Sequence, residues 1–185
     1  MCVYLADVAR WRGHFIESDP RLYRSLAAKY EGNDLVRAAE AGVTPHNVEE
    51  LFARLDVPEA LDVLCIDIDG HNYWVWKALE RHRPRVVVIE YNAHLGARSV
   101  TLPLASGPAW DETDHFGASI TALSDLGTRK GYRLVHCDLT GVNAFFVRED
   151  LGGDFPAPEE VALRAPNYFL AGLRLPPGNG AWEAV

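Results

Sequence analysis

Three acids and an amide follow two apolar segments in the middle of the chain. They are Asp67, Asp69, Glu90 and Asn92. Carboxylates brought together repel one another unless protons, a cation or a basic ligand compensate. Hard oxygen ligands of this kind suit Mg²⁺, Mn²⁺ or Ca²⁺ better than zinc. The residue types therefore predict a divalent-cation site, whereas the alternative for Asp69 is an ordinary turn with Gly70.

The elements that must position these side chains are two strands and the helix between them. The segments Val63 to Ile68 and Val86 to Ile89 are short and rich in β-branched residues, and they lack polar alternation. These features predict neighbouring parallel strands, buried on both faces, in a βαβ unit. Ligands bind outside the carboxyl ends of such strands, so the four polar side chains are expected to converge there.

The remaining pattern predicts a doubly wound α/β domain. A short strand at His14 to Ile16 leads to Glu17, and Asp19-Pro20 begins a helix. A strand that ends in an acid is the usual way for a nucleotide-binding sheet to offer a carboxylate to a ribose diol. The alternative is a surface acid stabilised by the helix dipole.

Further along, a weak strand at 33–39 and a helix from Thr44 to Leu55 precede the central stretch. Residues 94–113 are aperiodic, which is typical of a functional loop. A helix from Ser119 to Lys130 follows, and two strands around Thr140-Gly141 predict an antiparallel hairpin at the sheet edge.

The net charge and the residue composition argue against several classes of function. The formal charge is -8 and the sequence pI is near 5.3, which argues against a nucleic-acid partner. The three cysteines lack metal-ligand spacing, and the chain contains neither an apolar run of about 20 residues nor a signal-peptide pattern. The expectation is a soluble cytoplasmic protein without a membrane partner.

Five phrases of the sequence resemble the FkbM-like branch of S-adenosylmethionine-dependent methyltransferases. They are IESDP (16–20), IDIDGHNYWVWKAL (66–79), VVVIEYN (86–92), FGASITAL (116–123) and GYRLVHCDLTGVNAFFVR (131–148). The resemblance implies a Rossmann-like class I methyltransferase sheet, mostly parallel, with strand order 3-2-1-4-5-7-6 and an antiparallel last strand. It also implies that Glu17 holds the cofactor ribose, that Asp67 lies next to the methyl donor, and that Glu90 and Asn92 close the acceptor side.

The resemblance covers roughly residues 1–150, with residues 151–185 expected to be a proline-rich tail that packs on the same domain. The family's first strand and glycine-rich loop, which cradle the methionine carboxylate, are expected before the first helix and are absent. The expectation is therefore an N-terminally truncated fold, in which a homo-oligomer could cover the exposed gap in the sheet.

The predicted function is O-methylation of a hydroxyl on a sugar or natural product, with S-adenosylmethionine as the cofactor and Mg²⁺ or another divalent cation assisting. His71 and His115 are the candidate general bases beside Asp67, since imidazole accepts a proton near neutral pH. Their alternatives are a helix cap and a solvated loop. The competing function is a non-catalytic binding module that has lost the cofactor, and a two-metal hydrolase is less favoured.

Overall fold

The computed structural model describes residues 2–107, 110–167 and 175–185. The chain divides into two compact units, residues 1–58 and residues 59–185. None of the helices in the described ranges has the length and apolar character needed to cross a membrane.

The N-terminal unit alternates helices and strands around one parallel strand pair. Its elements are α1 (Cys2–Asp7), β1 (Gly13–Glu17), α2 (Pro20–Lys29), β2 (Val36–Glu40) and α3 (Val48–Arg54). β1 and β2 pair in parallel, so that Glu17 and Glu40 stand opposite each other at their ends. A small core contains Tyr30, and the Phe15 ring stacks on it with 5.4 Å between ring centroids.

The sequence predicts where two helices of this unit, α2 and α3, begin, and the structure confirms one of the two predictions. Asp19 caps α2 as predicted, because its side chain accepts hydrogen bonds from the Arg21 and Leu22 amides and Pro20 occupies the first turn. The predicted start of α3 at Thr44 is wrong, since the helix begins at Val48. The Asn47 side chain instead accepts from the Thr44 amide and donates to the Gly42 carbonyl, which closes a turn before the helix.

The C-terminal unit contains a four-stranded sheet and the helices that cover it. Its elements are β3 (Val63–Ile66), α4 (Asn72–Ala78), β4 (Val86–Glu90), β5 (Val100–Thr101), α5 (Ile120–Arg129), β6 (Tyr132–Cys137), β7 (Asn143–Arg148) and β8 (Glu183–Ala184). Short 3₁₀ helices span Ala93–Leu95, Glu149–Leu151 and Pro158–Glu160.

The sheet order is β3-β4-β7-β6. β3 and β4 are parallel, and β7 is antiparallel to both of its neighbours, so β3, β4 and β6 run in one direction and β7 in the other. The prediction of a mixed α/β protein with a mostly parallel sheet and an antiparallel hairpin at the edge is confirmed. β5 and β8 form a separate antiparallel pair.

The core of this unit lies between the sheet and the helices α4 and α5. Trp76 of α4 and Phe146 of β7 are both fully buried, with 4.9 Å between ring centroids. Ser119 caps α5 by accepting from the Ala122 amide, and Gly131 follows the helix with a φ of 77°. The contact between the Trp76 and Phe146 rings shows that α4 packs on the sheet through Trp76.

Candidate cation site at the ends of strands β3 and β4

Asp67, Asp69 and Glu90 form an acid triad at the carboxyl edge of the parallel strand pair. Ile66 of β3 lies opposite Ile89 of β4, so the residues that follow each of them leave the sheet at the same edge. One carboxylate oxygen from each of the three side chains lies within 4.8 Å of the others. The structure therefore brings together three of the four predicted ligands, as expected for strand ends that share a sheet edge.

The three acids differ in their surroundings. Glu90 is only 8% exposed, whereas Asp67 and Asp69 are open to solvent. Asp69 has a φ of 56°, in the left-handed region that asparagine and aspartate tolerate better than most side chains. The triad thus combines one buried carboxyl group with two at the surface, which leaves a solvent-facing side for a ligand.

Asn72 links Glu90 to the turn that carries Asp67 and Asp69. Its side-chain amide donates to Oε2 of Glu90 at 2.9 Å, and its carbonyl oxygen accepts from the Ile68 amide at 3.1 Å. Asn72 is fully buried. Asn72 is the first residue of α4, and His71 before it occupies the N-cap. The sequence did not predict this linking role, because no local pattern encodes a contact between side chains 18 residues apart.

The triad changes the proton affinities of its members. Burial raises the pKa of Glu90 to about 8, and the charges of Asp67 and Asp69 add to the effect. The pKa of Asp67 is also raised, mainly by burial and then by Asp69, although part of its surface is exposed. Glu90 therefore carries a proton at neutral pH when no cation is bound, and a bound cation would favour its release.

Asn92 does not have the role of cation ligand that the sequence suggested. Its carbonyl oxygen accepts from the His94 amide, and its amide group donates to the backbone oxygens of Asp114 and Phe116 at 2.7 and 2.9 Å. The side chain is fully buried. Because both of its polar ends are engaged by backbone groups, Asn92 positions the loop that precedes α5.

The two predicted general bases lie in different surroundings. His71 is 7% exposed, and its Nε2 is buried without a hydrogen-bond partner among the described residues. His115 donates from Nε2 to the Ala181 carbonyl at 2.9 Å and packs edge-on against Trp182. A carbonyl can only accept, so Nε2 of His115 carries the proton in this contact and is not free to take another. Neither histidine joins the acid triad in the described ranges.

Glu17 belongs to the N-terminal unit, where it is the last residue of β1. Its Oε1 accepts from the Asp19 amide at 2.8 Å, and the side chain is partly buried. The strand end and the following α2 therefore place the acid as the sequence predicted. Its second oxygen has the chemistry to accept from a hydroxyl group.

Tyr91 follows β4 directly, beside Asn92, and its position in the sequence suggests a place in the acceptor pocket, but the structure places it in the core. It is 1% exposed, and burial raises the pKa of its hydroxyl group well above the usual range. The hydroxyl is therefore a poor candidate for contacting a ligand at the edge of the sheet.

No protein-family model, no curated protein and no solved structure matches this chain.

Proposed function

We propose that this protein is a methyltransferase-like enzyme that binds a divalent cation at the acid triad and methylates a hydroxyl group of a small acceptor such as a sugar. The observation that carries the proposal is the meeting of Asp67, Asp69 and Glu90 at one edge of two parallel strands. The methyl donor in the proposal is S-adenosylmethionine, as the sequence resemblance implies.

The order of the strands supports the proposed class. The sheet β3-β4-β7-β6, with β7 antiparallel, has the order and directions of the 4-5-7-6 portion of a class I methyltransferase sheet. The parallel pair β1 and β2 has the pairing of strands two and three of that sheet. Each unit of the chain is thus consistent with its part of the expected topology.

The residues of the triad fit a hard divalent cation. They offer three carboxylate groups at one point, one of them buried and held by Asn72. A cation bound there would lower the pKa of an acceptor hydroxyl and orient it. The acids would then serve to hold the cation, and the backbone around Asn72 would fix their spacing. Methyl transfer needs little more from the protein than this alignment and removal of the acceptor proton.

The residues fit the methyl donor at one position. Glu17 is at the end of a parallel strand, with one oxygen held by a backbone amide and the other available to a ribose hydroxyl. S-adenosylmethionine, when bound, supplies an electrophilic methyl group. The proposed contribution of Glu17 is to bind and orient the sugar of this cofactor.

A cation titration tests the proposal first. Electron paramagnetic resonance at pH 8 measures the affinity of the full chain for Mn²⁺. We expect Asp67→Asn to lower this affinity at least tenfold. The matched control is Asp154→Asn, because Asp154 is an exposed acid outside the triad. If the unaltered protein binds no Mn²⁺, or if both variants bind it equally well, cation assistance is wrong.

The second candidate is a cation-binding module that lacks the cofactor. One observation favours it: among the described strands, β1 pairs only with β2 and β3 pairs only with β4, so no strand stands in the position of the family's first strand. Calorimetric titration with S-adenosylmethionine separates the two candidates. Binding that Glu17→Gln weakens supports the methyltransferase, whereas cation binding without any cofactor binding supports the module.

A further inference from the structure

Residues 176–185 lie across a loop whose described residues are 98–107 and 110–118, and we call residues 176–185 the C-terminal strap. β8 within the strap pairs with β5 in this loop, from Val100 opposite Ala184 to Thr101 opposite Glu183. The Ser99 hydroxyl also donates to the Val185 carbonyl at 2.7 Å. Ser99 and Val185 are 86 residues apart in the chain.

The strap packs against the side chain of His115. Its imidazole donates to the Ala181 carbonyl, and its ring packs against Trp182. A side chain at Gly180 would overlap the imidazole, and one at Gly178 would overlap Cβ of His115. Glycine is therefore required at both positions for the strap to lie this close to the ring.

Asp114 connects the strap with the candidate site. Its amide donates to the Pro176 carbonyl at 2.9 Å, and its Oδ1 accepts from the Gly178 amide at 2.7 Å. Its own carbonyl accepts from Asn92, which lies two residues beyond Glu90. The strap, the loop and the end of β4 are thus joined by consecutive hydrogen bonds.

The strap is held by hydrogen bonds and one ring contact near the surface, without a buried core of its own. No residue of the strap is fully buried. Its ladder with β5 is two residues long, which is shorter than a strand that is stable on its own. Segments with few buried contacts and exposed hydrogen bonds open locally at low free-energy cost. Trp182 contacts the loop through its ring, with the Arg98 guanidinium 5.9 Å from the ring centroid.

We propose that the C-terminal strap is a releasable clasp that holds residues 110–118 of the loop against the end of β4, with the strap packed on the His115 ring. Release exposes His115 and frees Asp114 from Pro176 and Gly178, while the hydrogen bond from Asn92 to the Asp114 carbonyl remains. The clasp does not depend on methyl transfer or on a cation, and its test is independent of both.

Hydrogen exchange of individual amides by NMR tests the clasp in the full chain. Gly180→Ala is expected to speed exchange of the Asp114, Gly178 and Val185 amides about tenfold, the effect of losing roughly one hydrogen bond with its supporting contact. Gly107→Ala is the matched control, because Gly107 is in the same loop and a side chain there meets nothing within 4 Å. Amides of β4 are expected to exchange as in the unaltered protein in both variants.

A second pair of variants distinguishes loss of the contact between the strap and His115 from a general loss of folding. His115→Ala removes the ring and is expected to speed exchange of the same three amides, while adding Gly180→Ala to it changes them less than about twofold. The proposal is overturned if His115→Ala leaves the exchange of these amides unchanged. It is equally overturned if Gly107→Ala speeds their exchange as much as Gly180→Ala does.

Discussion

Glu90 is a carboxylic acid whose surroundings favour the protonated form. Its pKa is raised from 4.5 to about 8 by burial and by two neighbouring acids. The folded protein therefore binds this proton more tightly than the unfolded chain does. By linkage, the contribution of Glu90 to the free energy of unfolding of the cation-free protein decreases as the pH rises above 4.5, and the loss is complete above about pH 8, at about 3 to 5 kcal/mol.

Replacement of Glu90 by glutamine tests this linkage. Glutamine does not ionise, so Glu90→Gln is expected to be more stable than the unaltered protein by about 2 to 4 kcal/mol at pH 9 in a chelator, and about equally stable at pH 4.5. Urea unfolding at the two pH values measures the difference. Equal stabilities at pH 9 would contradict the raised pKa.

Removal of the Asn72 side chain is expected to lower the free energy of unfolding. Asn72→Ala leaves the Ile68 amide and the buried Glu90 oxygen without their partner, so we expect a loss of about 2 to 4 kcal/mol in the free energy of unfolding. Asn179→Ala, at an exposed position, is the control and is expected to change stability by less than about 0.5 kcal/mol. A similar change in both variants would mean that Asn72 does not hold the triad.

The residues of the triad could be predicted from the sequence, but their surroundings could not. Two strands that end in acids are visible in the residue order, so Asp67, Asp69 and Glu90 were expected to meet. The proton on Glu90 and the bond from Asn72 depend on burial and on a contact across 18 residues, which no local pattern encodes.

At the scale of elements, α5 packs closely on the sheet because of one glycine. A side chain at Gly127 would lie 3.0 Å from the Phe146 ring and 3.1 Å from Trp76, and both rings are buried. Alanine normally stabilises a helix by about 1 kcal/mol relative to glycine. Here the buried rings have no room to yield, so packing is expected to outweigh helix propensity.

Gly127→Ala tests this balance. We expect the free energy of unfolding to fall by about 1 to 2 kcal/mol, because the lost packing exceeds the gain in propensity. Thr128→Ala, at the next and exposed position of α5, is the control and is expected to be neutral or slightly stabilising. Chemical denaturation measures both variants. An increase in stability for Gly127→Ala would show that α5 moves to accommodate the methyl group.

At the scale of the whole molecule, cation binding is expected to stabilise the unit that contains the triad. All three acids and Asn72 belong to residues 59–185. A ligand at 100 times its dissociation constant stabilises the folded state by about 2.7 kcal/mol. We therefore expect Mn²⁺ to raise the melting temperature of the unaltered protein at pH 8, and to raise that of Asp67→Asn clearly less. An equal shift in both proteins would place the cation elsewhere.

The sequence by itself determined the local features of this protein. The alternation of apolar segments specified the helices and strands, while Asp19, Pro20 and Ser119 specified where two helices begin. These features depend on residues within one turn or one strand of each other. The same patterns specified which strand ends carry acids, and hence which side chains could share a sheet edge.

Only the tertiary structure decided how the polar side chains are used. Asn92 bonds to a loop 22 and 24 residues away, and His115 bonds to the strap 66 residues away. Side chains that sequence patterns made candidates for a ligand or a base are engaged instead by backbone groups. The physical reason is that a hydrogen bond between distant residues forms only where the folded arrangement brings a donor and an acceptor within reach of each other.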